Sequence, residues 1–125
     1  MHELSIAQAI FDVAERHAAG RRVSKVEVRV GHLRQVVPDA LDFAFTLITP
    51  DTALDGAELE IEHVPARGRC RACGAQSTLA DFPLRCARCG GLDLQVTAGE
   101  ELLVAALELE QETSTSERLG HGSHV

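Results

Sequence analysis

The sequence predicts an α+β fold in which two helices pack on a three-stranded sheet, with a small four-cysteine module inserted before the last strand. Three observations carry this expectation. Apolar residues recur at helical spacing in two segments, they alternate with charged residues in three others, and all four Cys fall as two Cys-x2-Cys pairs within one stretch of distinct composition.

The first helix is expected over residues 4–18. Ile6, Ile10 and Val13 form one row and Ala7, Phe11, Ala14 and Ala18 a parallel one, with Asp12, Glu15 and Arg16 between them and Gly20 as the stop. Val26, Val28 and Val30 alternate with Lys25, Glu27 and Arg29, a strand with one face buried that Gly31 closes. Pro38 followed by Asp39 and Asp42 marks the start of a second helix, because proline suits the first turn and carboxylates suit the positive end of the dipole. Its stripe is Leu41, Phe45 and Ile48, and Pro50 ends it.

A second strand is expected over residues 57–64, with Leu59 and Ile61 inward and Glu58, Glu60 and Glu62 on a solvated face. Residues 101–110 favour a helix by composition. Yet Leu103, Ala105, Leu107 and Leu109 alternate against Glu108 and Glu110, and this alternation predicts the third strand. Residues 111–125 are rich in Ser, Thr, Gly and Glu without any apolar period, so they are expected to form a disordered tail. The domains that follow are a discontinuous α/β domain, 1–65 plus 99–110, and an inserted module, 66–98.

Composition removes several function classes. The chain has 125 residues, with 12 basic against 19 acidic and a net charge of −7. Lys25 is its single lysine, so no nucleotide loop ending in Gly-Lys-Ser/Thr exists and Schiff-base chemistry has one candidate. A net-acidic chain with no Trp, no Tyr and four Phe is poorly suited to nucleic acid. The longest apolar run, residues 102–107, falls far short of the roughly 20 residues that cross a bilayer. The start, Met1-His2-Glu3-Leu4-Ser5, carries an acid where a secretion signal carries basic residues, and a cytoplasmic location is expected.

Cys70-Arg71-Ala72-Cys73-Gly74 and Cys86-Ala87-Arg88-Cys89-Gly90 are two copies of one turn. Each brings two sulfurs toward one ion, and the Gly after the second Cys permits a left-handed backbone. Four thiolates in a closed tetrahedral set select zinc and leave no open position for a reacting water. The reading is a structural Zn(II) site at Cys70, Cys73, Cys86 and Cys89 in an inserted four-cysteine zinc-ribbon domain; paired disulfides or an iron centre are the alternatives. Arg67, Arg69, Arg71, Arg85 and Arg88 give residues 66–98 a net charge of +3. They either offset the surplus negative charge of the thiolates, the favoured reading, or dock an acidic partner or nucleic acid.

The amino terminus offers a second donor set. The α-amine of Met1 and the amide and ring nitrogens of His2 can close adjacent chelate rings around one ion, with Glu3 supplying a further ligand. Nitrogen-rich planar sets suit Ni(II) or Cu(II). Against this stands the plain reading of His2 as an exposed terminal side chain. An α-amine ionises near about 7.7–8.0 and an imidazole near about 6.5, so protons compete with metal at such a site around neutral pH. His121 and His124 are read as idle tail residues, and His17 and His63 as packed or solvated.

Met1-His2-Glu3 followed by Leu-Ser-Ile-Ala, the Val-Glu-Val-x-Val-Gly strand, the proline-started helix with Leu41, Phe43 and Phe45, and the paired Cys-x2-Cys turns together resemble the HypA/HybF hydrogenase nickel-insertion proteins. The resemblance covers about residues 1–110. It implies a nickel metallochaperone for [NiFe]-hydrogenase maturation, with Ni(II) as cargo at Met1, His2 and Glu3 and zinc at the four Cys. It also implies a HypB-type GTPase and the hydrogenase large subunit as partners; composition argues for no membrane and makes nucleic acid a disfavoured partner, and a monomer or weak homodimer is expected. No nucleophile–base pair or open metal position is visible, so no enzyme is expected. The competing function is a zinc-ribbon module that binds nucleic acid or another protein.

Overall fold

The computed structural model describes residues 2–80, 82–110 and 115–124. Its elements run in the order α1 (His2–Ala18), β1 (Val23–Gly31), a 3-10 turn (His32–Arg34), α2 (Pro38–Ile48), β2 (Glu58–Val64), β3 (Arg67–Cys70), β4 (Gln76–Thr78), β5 (Leu94–Ala98), β6 (Leu102–Leu109) and β7 (Thr115–His124). The chain divides into two compact units. One comprises Met1–Arg29, Val36–Glu62 and Leu102–Val125, and the other Val30–Gln35 and His63–Glu101.

In the first unit, both rows of α1 are buried as their spacing requires: Ile6, Ala7, Ile10, Phe11, Val13, Ala14 and Ala18. The helix begins at His2, a turn's fraction earlier than its apolar pattern shows, with Glu3 in its first turn. Ala19 and Gly20 both take positive φ, +52° and +87°, and turn the chain toward β1. α1 packs on α2 and on β6. From α2 it meets a side buried through Leu41, Ala44 and Phe45.

The sheet has the strand order β2-β1-β6-β7. Glu110 N–H donates to Arg22 C=O at 2.8 Å and Gly31 N–H donates to Glu101 C=O at 2.7 Å, so β1 and β6 run in opposite directions. Val23, Val26, Val28 and Val30 are buried, as are all β6 residues except Ala105 and Glu108. The segment with mixed signals is therefore a central strand. Two of the three expected solvated acids of β2 have partners on β1: Lys25 Nζ lies 2.5 Å from Glu60 Oε2 and Arg29 Nε lies 2.6 Å from Glu62 Oε2. Both are cross-strand pairs at the sheet surface, with Lys25 half-buried and Arg29, Glu60 and Glu62 exposed, and they align the two strands while adding little net stability.

One expectation is corrected here. The sheet has four strands rather than three, because the segment expected to be a disordered tail contains β7, antiparallel to β6 with Leu109 opposite Thr115 and Leu103 opposite His124. Its composition shows no apolar alternation, yet backbone groups pair regardless of side chain, and the free edge of β6 supplies the template.

In the second unit, β3 is the middle strand of an antiparallel sheet ordered β4-β3-β5. Val30–Gln35 belongs to this unit through Leu33 N–H donating to Gly99 C=O at 2.8 Å. The crossing is tight. A Cβ on Gly31 would overlap the Gly99 carbonyl, and one on Gly99, whose φ is +109°, would lie 2.5 Å from Ala66 Cα. Only glycine satisfies both positions.

Candidate metal centres

The two Cys-x2-Cys turns have the same backbone. Cys70 N–H donates to Ala75 C=O at 2.9 Å and Gly74 N–H to Cys70 C=O at 2.8 Å; in the second turn Cys86 N–H donates to Gly91 C=O and Gly90 N–H to Cys86 C=O, both at 2.9 Å. Gly74 and Gly90 take φ of +77° and +72°, the left-handed conformation that their place after the second Cys calls for. The first turn is the end of β3. The second is held to β4 by Ala87 N–H donating to the buried Ser77 Oγ at 3.2 Å.

All four Sγ atoms lie within 4.8 Å of one another. Cys70 and Cys89 approach to 3.7 Å and Cys73 and Cys86 to 3.6 Å. A tetrahedral ion with metal–sulfur bonds of about 2.3 Å places its sulfurs about 3.8 Å apart, whereas a disulfide requires about 2.05 Å. The four cysteines are free, and their spacing fits one ion held by both turns. Among the described residues they are the one group of three or more His, Cys, Asp or Glu able to converge on an ion.

The backbone prepares this set to be anionic. Cys89 N–H and Arg88 N–H donate to Cys86 Sγ at 3.5 and 3.4 Å and lower its pKa to about 6. N–H groups of Cys73 and Ala72 lower that of Cys70 in the same way. Gly91 N–H favours the Cys89 thiolate from 3.4 Å, but hydrogen bonds with the neighbouring thiols of Cys70 and Cys86, together with desolvation, hold its pKa up to about 11. Four crowded sulfurs cannot all ionise without a cation among them.

Two of the arginines act inside the unit. Arg71 Nη1 lies 2.9 Å from Asp93 Oδ1, with Arg71 N–H on Asp93 C=O at 2.9 Å, and Arg85 Nη1 donates to Gly90 C=O at 3.3 Å. They brace the turns against β5 and against themselves.

At the amino terminus, Met1 lies outside the described residues. His2 and Glu3 share the first turn of α1. Glu3 Oε2 accepts the N–H of Val37, the residue that caps α2, at 3.3 Å, and this bond leads the influences that hold its carboxyl below the usual range. Ser5 Oγ donates to His2 C=O at 3.0 Å. The terminus is thus built into the helix pair.

A family model described as "Hydrogenase/urease nickel incorporation, metallochaperone, hypA" matches residues 1–109. The chain belongs to the HypA family. Curated HypA relatives include the hydrogenase maturation factor HypA of Geotalea uraniireducens, 48% identical over 110 residues that cover 88% of this chain and 100% of that protein. The corresponding factor of Geobacter metallireducens is 46% identical with the same coverage. The fold is shared with the solution structure of the Ni metallochaperone HypA from Helicobacter pylori, at a TM-score of 0.63 and 20% identity over 90% of this chain and 100% of that one. A HypA protein of the metallochaperone class matures hydrogenase without being a catalyst, and this chain is not an enzyme.

One pair lies beyond sequence reasoning. His32 carries no signal of its own and His63 reads as packed or solvated, yet their ring centroids lie 5.4 Å apart. Alternation of residues around 63 places a side chain on a face but says nothing of a partner from the turn after β1.

Proposed function

We propose that this HypA-family chain carries Ni(II) at Met1, His2 and Glu3 and delivers it for maturation of [NiFe]-hydrogenase, while Cys70, Cys73, Cys86 and Cys89 hold a structural Zn(II). The observation that supports the reading is the convergence of four free sulfurs in one unit, apart from His2 and Glu3 in the first turn of α1 in the other. Zinc supplies a fixed positive centre that keeps the two turns together. A chelate at a chain terminus exchanges ligands more readily than a closed thiolate cage, so cargo can enter and leave.

The work is cytoplasmic in this reading, with a HypB-type GTPase and the hydrogenase large subunit as partners. Among the described residues no helix is long and apolar enough to cross a membrane. Arg71 and Arg85 are committed to contacts within their own unit, which weakens the competing nucleic-acid reading.

The deciding experiment is metal analysis with nickel titration on untagged protein, on His2→Ala, and on protein extended by one residue before Met1. Both variants should keep one zinc per chain and lose the tightest nickel-binding event. Equal nickel affinity in the extended protein would overturn the assignment.

A further inference from the structure

The geometry points to a second site for a divalent late-transition ion, formed by His32 and His63 in the second unit. It goes beyond the terminal nickel site and uses none of its residues.

His32 Nε2 lies 2.9 Å from the Ala80 carbonyl oxygen. A carbonyl only accepts, so Nε2 carries the proton, and the neutral ring presents its lone pair at Nδ1. A ring N–H anchored on a backbone carbonyl is the arrangement that orients metal-binding histidines and raises their basicity. The residue's backbone is held as firmly, with Gly31 N–H on Glu101 C=O at 2.7 Å before it and Leu33 N–H on Gly99 C=O at 2.8 Å after it.

The second ring stands at the right range. Two imidazoles on one ion, with metal–nitrogen bonds of about 2.0–2.1 Å, place their centroids about 4.5 Å apart at a right angle and about 5.2 Å apart at the tetrahedral angle. The His32–His63 separation is 5.4 Å, with ring planes at 85°. His63 is exposed and His32 half-buried. One preset ring and one able to turn, with water free to fill the other positions, describe an exchangeable site for ions that favour nitrogen, Ni(II) among them.

The test uses full-length, zinc-loaded protein carrying His2→Ala, so that the terminal site is silent, titrated with Ni(II) while the histidine ring resonances are followed by NMR. One nickel ion should bind, and the rings of His32 and His63 should respond together. Adding His63→Ala, or His32→Gln, which keeps a donor for Ala80, should weaken this binding by at least about tenfold. Absence of nickel binding in the His2→Ala protein, or binding that neither substitution changes, as when the ion sits on His121 and His124, would overturn the proposal. Failure of the terminal assignment reads differently: there, His2→Ala would leave the first nickel-binding event of the wild type unaltered.

Discussion

The Glu3 carboxylate accepts the amide hydrogen of Val37 at 3.3 Å, joining the first turn of α1 to the start of α2. A proposed cargo ligand thereby doubles as a tie between two helices.

The Val37 amide holds the Glu3 carboxyl below its ordinary range, so the folded state binds a proton there less readily than the unfolded chain, where Glu ionises near about 4.3. The stabilisation is complete above that value and is lost as pH falls through the lower folded pKa. Metal-free Glu3→Ala should therefore melt below wild type at neutral pH, with the gap closing under acid conditions. Thermal scans along a pH series check this, and a gap that is constant down to the lowest pH contradicts it.

Phe43 and Phe45 lie two residues apart on α2, with opposite fates. Phe45 is 1% exposed and Phe43 64% exposed. Phe45→Ala should cost about 3–5 kcal/mol through lost burial and a residual cavity. Phe43→Ala should stay within about 0.5 kcal/mol. Urea unfolding of the zinc-loaded variants measures both.

Removing the proposed zinc should unfold the second unit, since such sites contribute on the order of 10–16 kcal/mol near neutral pH. Amide resonances of β3 to β5 should collapse under a strong chelator while those of α1 and β6 persist. Acid should act in the same direction, because protons compete with the metal for all four thiolates. Zinc release followed against pH tests the sign.

Gly31→Ala should destabilise the second unit by about 3 kcal/mol or more, since its Cβ meets the Gly99 backbone rather than a movable side chain. Gly56→Ala separates sterics from backbone strain. It has open space around its Cβ but a φ of +78°, and should cost only about 1 kcal/mol. Thermal unfolding of the two variants beside wild type measures the difference.

Sequence periodicity is sufficient for α1, α2, β1 and β2 because each buries one face, so local spacing reports the environment. It weakens at β6, where burial on both faces blurs alternation and Leu, Ala and Glu argue for a helix. It fails at β7, whose pairing draws on backbone groups. The Cys-x2-Cys-Gly turns are legible in full, since ligand spacing and left-handed glycine are local properties. Gly31 reads as a strand end in the sequence, although its role is a close approach to Gly99. Such a contact is set by distant residues, as is the meeting of His32 with His63.

The inclusion of Val30–Gln35 in the second unit bears on protein engineering. A ribbon excised or exchanged between relatives at residues 66 and 98 would leave behind His32, the donor that reaches Ala80, and would part Gly99 from Ala66, against which it packs too closely for a side chain. Chimaeras cut at those points would inherit a mismatched joint. Grafts that also transplant the short turn after β1 would keep both halves of it.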